Sequence, residues 1–325
     1  LFSIYQFSIK LLQHAAFIPQ VIQSNKQRYG LRWLPATISN EVKKIEEQLV
    51  EAGRSWNEKI AATLLDSCAE ESEALHLTQK YQNAFPVGYQ YSNALSHTFL
   101  DIQKLEEVED TQKFALDLYE DNKQTRLKIY NPDTPVILSD ILPILENFGF
   151  EVIAEKPFEI KISKDKIAWI HDFLIKYKNE SHAKPVKDIK QVFEAGLTAI
   201  WDNECENDTL NALIPMAKMP WRDVLVLRAY TKYMRQTNIQ YTPDYMMRAL
   251  TDYPDIADLF LELFYGYHKP VHSKDKRKDL IKSNTRKIIK NLENVASYDQ
   301  DRILRSLLQI IQSTLRTNFF QNKSH

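Results

Sequence analysis

The residues of this chain able to do chemistry are few, and their spacing decides what they offer. His268 and His272 are four apart, the interval at which two imidazoles on one helix turn toward a common metal. No carboxylate stands where a helical HExxH arrangement needs one, and Gly266 and Pro270 place the pair in a loop. Two ligands alone make a poor site, so no metal is expected there. Glu204, Glu206 and Asp208, in WDNECEND, offer paired carboxylates for acid–base work or for a divalent cation. However, Asn207 and Asp208 precede the apolar stretch Leu210–Ile214, whose first amides need acceptors, and helix capping is the expected role. Trp221, Arg228, Tyr230, Tyr233 and Arg235 mix rings and cations as a nucleotide-stacking surface does. Their helical spacing assigns most of them to a core or an interface instead. His171 lies in an apolar strand-like segment and reads as a satisfied or edge-exposed histidine rather than a base. His14, His76, His97 and His182 have no companion pattern. The residues therefore yield no catalytic, cofactor-binding or metal-binding position.

Glycine points the same way. The chain has six in 325 residues, where a usage of about 7% would give about 23. Gly30, Gly53, Gly88, Gly149, Gly196 and Gly266 are all isolated, so neither a dinucleotide fingerprint nor a P-loop can be written. No cofactor site is expected within this chain.

The elements that must position these residues emerge from length and pattern. At 325 residues, two or three domains are expected, and 44% apolar with 26% charged residues suits a packed, folded chain. A net charge of −1 supplies no field for phosphate backbones or anionic lipid, so no nucleic-acid and no membrane partner is expected. Charges interrupt every long apolar stretch, and the opening LFSIYQFSIKLL lacks the layout of a secretory signal. Cys68 and Cys205 are far apart, which suits reduced thiols and a cytoplasmic location. A first residue other than Met suggests a fragment.

Residues 1–38 read as helical, with Ile4, Phe7, Leu11, Leu12, Ala15 and Ile18 on one face as far as Pro19. Residues 39–96 read as a helical hairpin: one arm starts at Ser39, the other covers about 70–83, and AFPVGY (84–89) closes it as a turn. Residues 97–185 change period. A short helix DIQKLEEVE precedes strands over 113–119 and 126–130, a helix from about Ser139 to Phe148 with Leu142, Leu145 and Phe148 on one face, and strands over 150–160 and 167–177. The order αββαββ is that of a ferredoxin-like module lacking its first strand, with 167–177 available for the vacant slot in a permuted arrangement. Residues 186–325 read as six helices forming an all-α domain, and the basic start KDKRKDLIK of the fifth should be exposed. The fold class is α+β, mostly α: a helical N-terminal part, a small α/β module and a C-terminal helical domain.

Several stretches together are more specific than any alone. SDILPILENFGFEVIAEKPFEI (139–160), AWIHDF (168–173), WDNECENDTLNALI (201–214), WRDVLVLRAYTKYMRQ (221–236) and DQDRILRSLLQIIQSTLRTNFFQ (299–321) resemble, in order and spacing, the large NAD-specific glutamate dehydrogenases of bacteria, and AGRSWNEKI (52–60) and AFPVGY fit as well. The resemblance covers about residues 39–321. It implies an ACT-like module at 97–185 followed by helical motifs, in the non-catalytic region before a catalytic domain that would begin only after Phe320. It further implies NAD as cofactor of the whole enzyme, the downstream catalytic domain of the same polypeptide as partner, a homo-oligomer, and a possible amino-acid effector. A stand-alone ACT-type amino-acid sensor or helical interaction protein is the alternative. The loop NPDTPVI has no glycine to bring a backbone amide to a ligand carboxylate, which counts against small-molecule binding. Within residues 1–38, QHAAFIPQVI and LRWLPA resemble the N-terminal region of bacterial Swi/Snf-type helicases.

Overall fold

The computed structural model describes residues 54–237, 239–270 and 274–321, the side chains of the last segment from Arg277 onward. The helices expected over 1–24 and from Ser39 to residue 53 lie outside the described residues. The chain divides into two compact units at Ala62 and Thr63. Helix α1 (Trp56–Ser67) runs across that division. It starts with a capping box: the Ser55 amide donates to Glu58 Oε2 at 2.7 Å and the Glu58 amide to Ser55 Oγ at 3.3 Å.

In the second unit, α2 (Glu71–Tyr81), α3 (Val87–Ser92) and α4 (Leu95–Thr111) lead to the sheet. AFPVGY is not a plain turn. Pro86, with φ −68°, stands just before α3 and makes no side-chain cap bond, and Gly88 lies inside that helix. The short helix expected over 101–109 is the second half of the 17-residue α4. Its buried stripe is Thr98, Asp101, Ile102, Leu105 and Val108, and the two polar members hid its first half from an apolar period.

Strands β1 (Ala115–Asp121) and β2 (Gln124–Pro132) form a hairpin. Asn122 and Lys123 alone make the turn, with φ of 50° and 64°, the left-handed pair that matches strand twist. Each strand therefore runs nearer the turn than its apolar residues indicate. Helix α5 (Leu138–Asn147) comes next, then β3 (Phe150–Lys161) and β4 (Ile167–Tyr177). Ser139 does not cap α5: Ile137 holds that position and supplies no side-chain bond. The buried face is Ile141, Ile144, Leu145 and Phe148, with Leu142 only half-buried. Gly149 ends the helix at φ 82°, as a C-terminal glycine does.

The sheet is antiparallel in the order β1-β2-β4-β3. Strand β4 thus sits in the slot a ferredoxin-like module gives its first strand, the permuted arrangement. Helix α6 (Val186–Trp201) comes after it and packs on β1, which places it with the module rather than only with the downstream helices. Leu118, Leu127, Ile129, Phe173 and Ile175 line one face, in one core with Phe148 of α5's end and Phe193 of α6. Lys128, Tyr130 and Asp172 line the other, where α4 lies.

Beyond α6, a 3-10 turn (Thr209–Ala212) and α7 (Leu213–Met216) precede α8 (Trp221–Met234), α9 (Pro243–Thr251), α10 (Pro254–His268), α11 (Lys274–Leu292) and α12 (Tyr298–Ser313). Thr242 caps α9 through the Tyr245 amide, with proline at the first helical position. The apolar faces of α8 to α12 join the core of the sheet's first face without a break. At the start of α11 Lys278 is exposed and Arg277 half-buried. Among the described residues no helix is long and apolar enough to cross a membrane.

Candidate functional site

The densest polar site lies between α4 and the sheet, and it begins with a lysine in mid-strand. Lys128 alternates with the core residues Leu127 and Ile129, so it points to the opposite face, where α4 covers it. Lys128 and Asp101 are each 1% exposed, with Nζ 2.6 Å from Asp101 Oδ2. Tyr130 donates its hydroxyl to Asp101 Oδ1 at 2.6 Å, and Tyr89 donates to Oδ2. Lys128 Nζ also stands 5.8 Å from the Tyr89 ring centre and 5.5 Å from that of Tyr119, within cation–π range. Burial first, then the Asp101 charge, pushes both the Tyr89 and Tyr130 hydroxyls well above the ordinary phenol range, so both remain donors. Beside this knot Arg126 grips Asp172 with two bonds, of 3.0 and 2.7 Å. These donors and acceptors are spent on one another. The arrangement holds α4 to the sheet and presents no activated nucleophile.

Sequence reasoning missed this site, because RLKIY reads as one buried and one solvated face, and nothing local shows that a helix residue 27 positions earlier covers the second. The signal available was Asp101, an acid on the apolar stripe of α4.

His171 is buried and satisfied, one of the two roles expected of it. Its Nε2 accepts the Val136 amide at 3.0 Å, which leaves Nδ1 to donate to Glu155 Oε1 at 2.7 Å. His97 packs edge-on to Tyr119 at 5.2 Å between ring centres. His268 is the last residue of α10 rather than part of a loop, and burial lowers its affinity for a proton. His272 and His14 lie outside the described residues. Among the described residues no three His, Cys, Asp or Glu side chains converge in a way that could hold a metal ion.

The acidic WDNECEND segment and the WRDVLVLRAYTKYMRQ helix, separate in sequence, meet in space. Asp208 caps the turn at Thr209–Ala212 by accepting the Leu210 amide at 3.1 Å, which is the capping role expected of it. Its carboxylate also takes two bonds from Arg228, at 2.6 and 2.9 Å. Arg228 is 3% exposed and further donates to Asn211 Oδ1 at 2.7 Å and to the Glu206 carbonyl at 3.3 Å. The Glu206 side chain pairs with Lys232. Tyr230 is buried and bonds Thr314 of the segment after α12 at 3.0 Å; Trp221 is half-buried against the core; Tyr233 and Arg235 are exposed. A groove of about 770 Å³ runs between α8 and α12, with Tyr230, Tyr233, Ile239 and Ile310 on its walls. Burial pushes the Cys68 and Cys205 thiols up, away from the reactive thiolate.

A permuted ferredoxin-like sheet, clamped by internal ion pairs and continuous with a helical domain, is the arrangement of an ACT-like module. Comparison with known proteins makes the relationship particular. The third ACT domain of glutamate dehydrogenase matches residues 113–187, its helical motif 2 residues 63–108, and its helical motif 3 residues 205–270. The catalytic domain of bacterial NAD-glutamate dehydrogenase matches residues 287–325, and a domain of unknown function residues 1–53. The NAD-specific glutamate dehydrogenase of Halomonas elongata is 32% identical over 288 residues, 87% of this chain and 18% of that protein. Those of Pseudomonas aeruginosa and Mycobacterium tuberculosis are 32% and 28% identical, each over 17% of their own length. The chain is therefore homologous to a segment of the large NAD-specific glutamate dehydrogenases and spans under a fifth of the length of these relatives. The catalytic match starts at residue 287, within α11, earlier than the position after Phe320 expected from the sequence.

Proposed function

We propose that this chain is a regulatory and assembly segment of an NAD-dependent glutamate dehydrogenase, a cytoplasmic enzyme that converts L-glutamate, NAD and water into 2-oxoglutarate, ammonia and NADH. One observation carries the reading. Ile303, Leu304, Leu307, Leu308 and Ile311 of α12, which lie in the catalytic-domain match, share a core with α8, α9 and α10, which lie in helical motif 3. The start of the catalytic domain is thus packed onto the helical domain as one body, and through α6 onto the ACT-like sheet. In this reading the segment positions the catalytic domain downstream in the same polypeptide and contributes contacts to a homo-oligomer. Any amino-acid effector would have to bind away from the loop after β2. In the loop after β2 the Asp133 amide donates to the Ile167 carbonyl, the Thr134 amide to that of Pro132, and the Val136 amide to His171, so these three are spent within the fold.

The chain alone should neither bind NAD nor oxidise glutamate, because a pyrophosphate is normally held by closely spaced glycines at a helix start. Titration calorimetry with NAD tests the first half and NADH absorbance with saturating glutamate the second. Micromolar affinity for NAD in the isolated chain would overturn the assignment of NAD to the downstream domain.

A further inference from the structure

The sheet has two outer strands, and they are protected against further pairing by different means. Strand β3 protects itself: Pro157 has no amide hydrogen, a bulge breaks the register between Val152 and Ala154, and Glu151 and Lys156 are exposed. Strand β1, ALDLYED, has neither the proline nor the bulge, and of its charged residues only Glu120, beside the turn, is exposed.

What closes β1 is a pair of side chains from α6. On the outer strand of an antiparallel sheet, alternate residues direct both amide and carbonyl outward, and an incoming strand bonds to both. Leu118, at the centre of β1, is such a residue. Its amide donates to Glu194 Oε1 at 2.8 Å, and its carbonyl accepts from Lys190 Nζ at 2.9 Å. Lys190 and Glu194 are one helical turn apart and bridge to each other at 3.2 Å. Lys190 also reaches Asp117, which shares the face of Lys128 opposite α6, so its side chain wraps the edge from one face to the other.

We propose that Lys190 and Glu194 act as an edge guard that prevents a second copy of this chain from adding its own β1 antiparallel to this one. A second copy is the fitting occupant because antiparallel pairing about Leu118 is self-complementary: each Leu118 would offer one outward amide and one outward carbonyl to the same groups of the other. The guard leaves any oligomer of this chain to form through other surfaces. It also ties edge closure to the helical domain, since the same α6 that carries Lys190 and Glu194 has Gly196 packed close against Ile214, where an added Cβ would lie 2.8 Å from Ile214 Cδ1.

The test is sedimentation velocity across a concentration series on the full chain and on Lys190→Ala/Glu194→Ala, with hydrogen exchange read at the Leu118 amide. The double variant should self-associate about tenfold or more tightly than the unaltered chain, and its Leu118 amide should exchange more slowly in the associated form than in the monomer. Glu194→Gln, which keeps an acceptor oxygen, should behave like the unaltered chain. Association unchanged in a folded double variant, association that leaves the Leu118 amide unprotected, or association in Glu194→Gln equal to that of the double variant would each overturn the proposal. If the double variant does not fold, Lys190→Met and Glu194→Ala singly are read in the same way.

Discussion

Asp101 and Lys128 are each shut away from water, so each charge depends on the other and on Tyr89 and Tyr130 for its solvation. Removing one member of such a pair leaves the other buried and uncompensated, at a cost of about 3–5 kcal/mol. Urea unfolding of Lys128→Met should show a loss of that size. Asp101→Leu should cost as much, because it also strands two phenol donors, and the double variant should cost less than the sum of the singles. A loss below about 0.5 kcal/mol in Lys128→Met, the level of a surface change, would mean the pair is hydrated. Glu109 makes a pH prediction. The Lys166 ammonium and then that of Lys80, the latter 2.7 Å away, hold its carboxyl below the usual carboxylate range. A depressed carboxylate contributes stability above its unfolded value and loses it as pH falls through the folded value. Melting temperatures of the unaltered chain and Glu109→Gln should therefore differ at neutral pH and converge in acid below that range. A constant difference at every pH would show that Glu109 contributes nothing through its charge. At this scale the sequence was legible where the partner is local. Asp208 could be read as a cap because the amide it serves is two residues away, whereas its pairing with Arg228 spans 20 residues and the Asp101–Lys128 pair spans 27.

Among the elements, α5 shows most directly what packing decides. Leu145 is fully buried and Leu142 only half-buried, although an apolar count places both on one face. Leu145→Ala should cost about 2–5 kcal/mol and Leu142→Ala distinctly less, as read by denaturant midpoints. Equal losses would mean the helix is rotated from the face described. Gly149→Ala should cost about 1–2 kcal/mol from the left-handed backbone, since φ is 82° and the Met216 methyl 2.9 Å from an added Cβ can swing aside. Strand existence and hairpin pairing were legible because β-branched and aromatic runs are bounded by turn residues, while the order β1-β2-β4-β3 was open to the sequence only as the permuted option. The ends of β1 and β2 were not, since Asp121, Gln124 and Thr125 are polar in type and belong to the strands only through the tightness of the Asn122–Lys123 turn. The first half of α4 and all of α3 were missed for a similar reason: Thr98, Asp101 and Tyr89 are buried by their partners rather than by their hydropathy.

At the scale of the whole molecule, one continuous body runs from the ACT-like sheet through α6 and the helical domain into the first part of a catalytic domain. The order of these parts was legible in the collinear stretches of sequence; the point where the catalytic match starts was not, because α11 continues from a polar, lysine-rich turn into that match without a break. If this body positions the rest of the catalytic domain, catalysis should require it in the same polypeptide. The most direct measurement is glutamate-dependent NADH formation by this chain joined to the remainder of a relative's catalytic domain, compared with the same catalytic portion lacking residues 54–286. A positioning role predicts turnover in the joined protein, a large loss without the segment, and a partial loss with Arg228→Met. Undiminished turnover by the catalytic portion without residues 54–286 would contradict it.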